Sequence, residues 1–168
     1  TQAEVLVDSK DRVVISGYSR GSVKLSDEIE IKCSEGGVYD TNTSNTFVAQ
    51  YSKNHELLWH QQIGGRNNQI ISDLVMGPED AIYFCGTFTF ECIFSNAVPR
   101  LNTSYSRRFE GSLFYAKLSQ EGDLEFVKYH RSKGGNSCIS GSMAIDDKGL
   151  IHLTGSYDGK ISFNSSLE

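Results

Sequence analysis

Three segments of the chain repeat one pattern. Residues 5–17 read VLVDSKDRVVISG, residues 74–86 read LVMGPEDAIYFCG, and residues 143–155 read MAIDDKGLIHLTG. Their closing glycines, Gly17, Gly86 and Gly155, lie 69 residues apart in both intervals. The same offset relates Val23, Cys92 and Ile161, then Leu25, Phe94 and Phe163. A second motif sits between the copies: TFVAQYSKNHELLWHQQIGG at 46–65 matches LFYAKLSQEGDLEFVKYHRSKGG at 113–135. Such a repeat constrains the fold more tightly than composition, because one unit cannot bury its apolar surface alone and must stack on its neighbours. The units run roughly over 1–69, 70–138 and an incomplete 139–168.

Each full unit holds four apolar runs of strand length: 5–7, 13–16, 47–51 and 57–61 in the first, 74–76, 82–85, 114–118 and 124–129 in the second. Runs such as Val13-Val14-Ile15 and Ile82-Tyr83-Phe84 are continuous rather than alternating, the mark of strands covered on both faces. No segment keeps a helical apolar period, so an all-β chain is expected. Four antiparallel strands per repeat, each sheet buried against its neighbours, describe the blade of a β-propeller, whereas a sandwich would show one polar face. Residues 8–11, 77–80 and 146–149 occupy one slot in the three copies and read as tight turns. Arg20-Gly21 and Asp158-Gly159 read as a second hairpin turn, and the polar stretches 26–45 and 95–111 as long surface excursions suited to function.

Taken together, MAIDDKGLIHLTGSYDGKISF (143–163), LFYAKLSQEGDLEFVKYHRSKGG (113–135) and the earlier TFVAQYSKNHELLWHQQIGG resemble the bacterial β-propeller repeats known as SBBP repeats. The resemblance covers nearly the whole chain. It implies a propeller on a secreted or surface-attached protein, and it carries no catalytic motif to transfer. With about 2.4 repeats present and closed propellers holding about 4–8 blades, the chain is expected to be part of a larger protein or to close a ring with other chains.

Other features narrow the function classes. Sixteen Lys and Arg against 21 Asp and Glu give a net charge of −5, without the basic stripe of a nucleic-acid binder. No apolar run approaches the roughly 20 residues of a membrane span. Cys33, Cys85, Cys92 and Cys138 show no Cys-x-x-Cys spacing, which argues against a zinc or redox site. Cys85 and Cys92 read as buried free thiols, diagonal on one sheet face if the Asp158-Gly159 register holds, while a disulfide through Cys33 or Cys138 stays open. Asn42, Asn102 and Asn164 begin glycosylation sequons in expected loops, against a background rich in Asn, Ser and Thr. Asp8, Asp11, Glu79, Asp80, Asp146 and Asp147 recur at one turn slot and read as turn formers rather than calcium ligands or an acid–base pair. His55 falls in a turn and His130 near a strand end, His60 aligns with Val127, and His152 reads as a hydrogen-bonded core residue. Trp59 aligns with Phe126 as a packing position.

No catalytic residue, cofactor or metal site is therefore assigned. The favoured expectation is a non-catalytic binding or scaffolding propeller of an extracellular or cell-surface protein, making protein or glycan contacts through its loops. A propeller-type glycan hydrolase or lyase, and a purely structural part of an assembly, are the alternatives.

Overall fold

The computed structural model describes residues 3–32, 44–65, 67–94, 101–102, 111–133, 138–158 and 160–161. They form fifteen strands: β1 (Glu4–Val7), β2 (Val13–Ser19), β3 (Ser22–Lys24), β4 (Glu30–Lys32), β5 (Asn45–Tyr51), β6 (Leu57–Gly64), β7 (Gln69–Met76), β8 (Ile82–Thr89), β9 (Glu91–Phe94), β10 (Leu101–Asn102), β11 (Gly111–Leu118), β12 (Leu124–Lys133), β13 (Cys138–Ile145), β14 (Ile151–Tyr157) and β15 (Lys160–Ile161). A short 3-10 turn at Pro78–Asp80 is the helical element among the described residues. The chain is all-β, and its paired strands are antiparallel.

Two four-stranded meanders dominate, β1-β2-β5-β6 and β7-β8-β11-β12, and β13-β14 opens a third copy. Their registers repeat with the sequence. Leu6 faces Val14, Val75 faces Tyr83 and Ala144 faces His152; Ile15 faces Ala49 as Phe84 faces Ala116. Gly17 lies opposite Phe47 and Gly86 opposite Phe114, and both third strands slip register at the same place, Gln50/Tyr51 and Lys117/Leu118. The anchor glycine recurs for want of space. A Cβ on Gly86 would lie 2.3 Å from the Ile70 carbonyl oxygen and 2.6 Å from the Phe114 ring. The ring can cross that strand only where the side chain is absent.

The sheets stack face to face, with sheet 2 in the middle. Val14 and Val48 of the first sheet pack with Leu74, Ile82, Phe84, Phe114, Ala116 and Leu118 of the second. The opposite face of the second sheet, Tyr83 and Cys85 with Tyr115 and Phe126, packs with Met143, Ile151 and Leu153 of the third. Alternate residues of Ile82-Tyr83-Phe84-Cys85 thus enter two different cores, which is why the run is apolar throughout. Phe114 centres the first core, with edge-on contacts to Phe84 at 6.2 Å and Phe94 at 5.9 Å.

Two sequence expectations require correction. The residues after the glycine anchor do not hairpin back on β2, because β1 and β5 already occupy both of its edges. Arg20-Gly21 is instead a corner into β3, which pairs with β4, and Phe90, at φ 68°, turns the chain into β9. β9 pairs with β6 of the preceding meander, and β15 pairs with β12 in the same way. Nor are the excursions wholly surface features. Ile31 is buried with Leu25 against Phe47 and Ala49, and Leu101 is buried in the main core.

Candidate functional surface

One turn design joins the strands five times. Residues 8–12, 52–56, 77–81, 119–123 and 146–150 each close with a hydrogen bond from the first backbone N–H to the fifth carbonyl, at 2.8–3.1 Å. The fourth residue is left-handed in every case: Asp11, His55, Asp80, Gly122 and Gly149. In four of the turns the first side chain accepts hydrogen bonds from the third and fifth N–H groups. Asp8 takes Lys10 and Arg12, Ser52 takes Asn54 and Glu56, Ser119 takes Glu121 and Asp123, and Asp146 takes Lys148 and Leu150. Gly77 has no such oxygen, and its turn tightens into the 3-10 segment. Turn geometry thus accounts for Asp8 and Asp146 as acceptors and for Asp11 and Asp80 at the left-handed position.

Asp8 differs from the others in its surroundings. Its carboxylate is fully buried, paired with the Arg12 guanidinium and accepting from Gln50 Nε2 at 3.2 Å. Burial alone would raise its pKa, but the N–H groups of Arg12 and Lys10 and the Arg12 charge outweigh it and hold it below the ordinary value. Gln50 Oε1 accepts from Trp59 Nε1 at 2.9 Å, and Trp59 Nε1 also donates to the Gln120 carbonyl at 3.1 Å. Ser9 Oγ donates to Asp80 at 2.6 Å, and Gln61 Nε2 to the Gly122 carbonyl at 2.9 Å. This network ties the turn ends of the first two sheets together. It uses Trp59 for packing, as its alignment with Phe126 implies, and adds a polar role for the indole that the alignment does not show.

The remaining expected site residues are dispersed. Cys85 and Cys92 are free and buried. They do not share a sheet face: Cys85 lies in the core toward the third sheet and Cys92 in the core between the first two, because β9 leaves β8 for β6. Burial pushes the Cys85 thiol up to about 11 and raises Cys92 as well, which keeps both protonated and weakly nucleophilic at neutral pH. Cys33, Asn42 and Asn164 lie outside the described residues. Cys138 begins β13 opposite Tyr157, and Asn102 lies in β10 opposite Glu91, in a strand rather than a loop. His130 is buried and stacks on Tyr115 at 5.8 Å, while His55 sits exposed in its turn. His152 is not a core residue. Its side chain is 63% exposed, 3.5 Å from Asp146, because it occupies the face of the third sheet that nothing among the described residues covers. No group of three or more His, Cys, Asp or Glu side chains among the described residues could hold a metal ion. No helix among them is long and apolar enough to cross a membrane.

A groove of about 980 Å³ lies between the β3–β4 turn and the β5–β6 turn. Leu25, Ile29, Leu57 and Leu58 supply its apolar part, and Asp27, Glu28 and Glu56 its acidic rim, with Lys24 and His55 alongside. Leu58 is 46% exposed there, a large apolar side chain offered to solvent. Lys24 is paired with Asp27 at 3.3 Å, so Glu28 and Glu56 dominate the rim. Residues 26–29 are the start of the first excursion, the part of the repeat that differs most between units. Compared with known proteins, the chain matches no protein-family model and no curated protein.

Proposed function

We propose that the chain is a non-catalytic binding or scaffolding module built from β-propeller blades of the SBBP-repeat kind, belonging to an extracellular or cell-surface protein. The observation that carries the reading is the docking of two four-stranded meanders and of a third, two-stranded sheet in the same order, on which the first excursion builds a groove. Repeat scaffolds hold their stacked strands constant and vary the connecting segments that meet partners. The apolar groove with a carboxylate rim suits a protein or glycan segment that offers an apolar face flanked by cations, hydroxyls or amides.

The test is binding of the purified chain to arrayed glycans and displayed peptides, compared with a Glu28→Lys/Leu58→Asp variant. A ligand retained by the wild type and lost by the folded variant supports the reading. Equal binding by both proteins, or release of a cleaved product, overturns it.

A further inference from the structure

Leu58 owes its exposure to a bulge. In β6, Leu57 pairs with Tyr51 and Trp59 with Gln50, so Leu58 is the extra residue and turns outward, 46% exposed. Its counterpart in β12 is Glu125, the extra residue between Leu124 and Phe126. Glu125 is also exposed, at 42% of its side chain. That holds although Gly122 lies against Trp59 of the first sheet and Leu124 packs on the core between the two sheets. Exposure at this slot therefore belongs to the bulge and not to the end of the stack. The two units fill it differently. Glu125 is paired with Lys117 at 2.6 Å, whereas Leu58 offers solvent an apolar side chain where the second unit places a charge.

The β3–β4 turn, the other wall of the groove, is preformed. Leu25 N–H donates to the Ile29 carbonyl at 2.8 Å, and Ser26 Oγ accepts from the N–H groups of Glu28 and Ile29. Tyr51 Oη ties the turn to the first sheet by donating to the Leu25 carbonyl at 2.9 Å. Asp27 holds Lys24, while the Glu28 and Glu56 carboxylates have no ion-pair partner among the described residues. The lining carries no Phe, Tyr or Trp, hence no flat ring for a sugar to stack on. We propose that the groove takes an extended segment of a partner protein in which an apolar side chain is flanked by Arg or Lys. The apolar group covers Leu57 and Leu58, and the cations meet Glu28 and Glu56. An acidic segment would be repelled there, and a neutral one would leave both carboxylates unpaired. The net charge of −5 favours the same partner. The inference rests on the groove in the proposed function and narrows its ligand from protein or glycan to a cationic peptide.

The experiment is fluorescence anisotropy of labelled probes titrated with the whole chain. The probes are capped peptides carrying Leu or Phe flanked by Arg at graded spacings, matched sets with Gln or Glu in place of Arg, and neutral chitin and maltose oligosaccharides. The tightest probe is expected in the Arg set, with binding that weakens as salt is raised. Glu28→Gln/Glu56→Gln should lower that affinity about 3–10-fold, the effect of losing two exposed ion pairs, and flatten the salt dependence. Leu58→Ser should lower the affinity and leave the salt dependence in place. All three positions are exposed, so the variants keep the fold, which circular dichroism checks. No binding by the Arg set, a Gln set that binds as tightly, or Arg-set binding unchanged in both variants overturns the inference. A glycan or an uncharged peptide that binds the wild type and is lost in Leu58→Ser refutes the cationic partner while the groove reading stands. Failure of every probe refutes both.

Discussion

His55 is held at φ 64° by its turn, a region that costs a non-glycine residue about 1–2 kcal/mol, while Gly122 fills the same slot in the next unit. His55→Gly is therefore expected to stabilise the chain by about 0.5–1 kcal/mol in urea unfolding, after the added freedom of the unfolded chain offsets part of the relief. Gly122→Ala should do the reverse and more, since its Cβ would lie 2.5 Å from the Trp59 indole. Asp8 makes a second residue-scale prediction. Its folded pKa lies below the ordinary carboxylate value of 3.8, so its stabilisation is fully present above that pH and is lost as pH falls through the lower folded value. Asp8→Asn should cost about 2 kcal/mol near neutral pH, by weakening the contact to Arg12, and that cost should shrink on acidification below about pH 4. A cost that is unchanged at low pH would contradict the charge-based account. The turn role of these acids was legible from their recurrence at one slot. That the Ser52 and Ser119 turns share the design was not, because a serine hydroxyl and an aspartate oxygen do the same work under different letters.

At the scale of the element, the anchor glycines are the sharpest case. Gly86→Ala is expected to cost about 3 kcal/mol, since its Cβ meets a backbone carbonyl that cannot yield. Gly17→Ala should cost distinctly less, because its Cβ meets the Phe47 ring at 3.1 Å and a side chain can shift. Equal losses in denaturant unfolding would contradict this difference. The strands themselves were readable as apolar runs, with cores at the expected positions, although β7 reaches back to Gln69 through polar residues. What the letters could not carry was the partner of each strand. β9 and β3 follow the same anchor, align in sequence and each pair with the next strand, β10 and β4, yet β9 also pairs with β6 of the preceding meander. Pairing depends on which edges remain open, a property of the assembled sheets rather than of a local segment. The separation of Cys85 from Cys92 and the burial of Leu101 follow from that choice.

In the molecule as a whole, three sheets repeat one docking geometry, front face to back face. The 69-residue period and the two-sided apolar runs announced it, and the paired registers carry it into the structure. His152 marks where sequence reasoning stopped short: it aligns with Val14 and Tyr83, both covered, but the third sheet's outer face is open among the described residues. Whether a position is core depends on what lies over it, and alignment alone does not report that. The groove beside Leu58 was legible only as a location, since the excursion's first residues mark where variation is placed but not the shape they make.

The most direct test of the stack is a set of distances between spin labels at Lys10, Glu79 and Lys148, equivalent turn positions in the three units. The labels are placed in pairs on a background lacking other accessible cysteines and measured by pulsed electron paramagnetic resonance. Equivalent docking predicts matching distances for the 10–79 and 79–148 pairs, and a longer one for 10–148. Neighbouring distances that differ by about 10 Å, a full sheet spacing, would contradict it, as would a 10–148 pair no farther apart than either neighbouring pair.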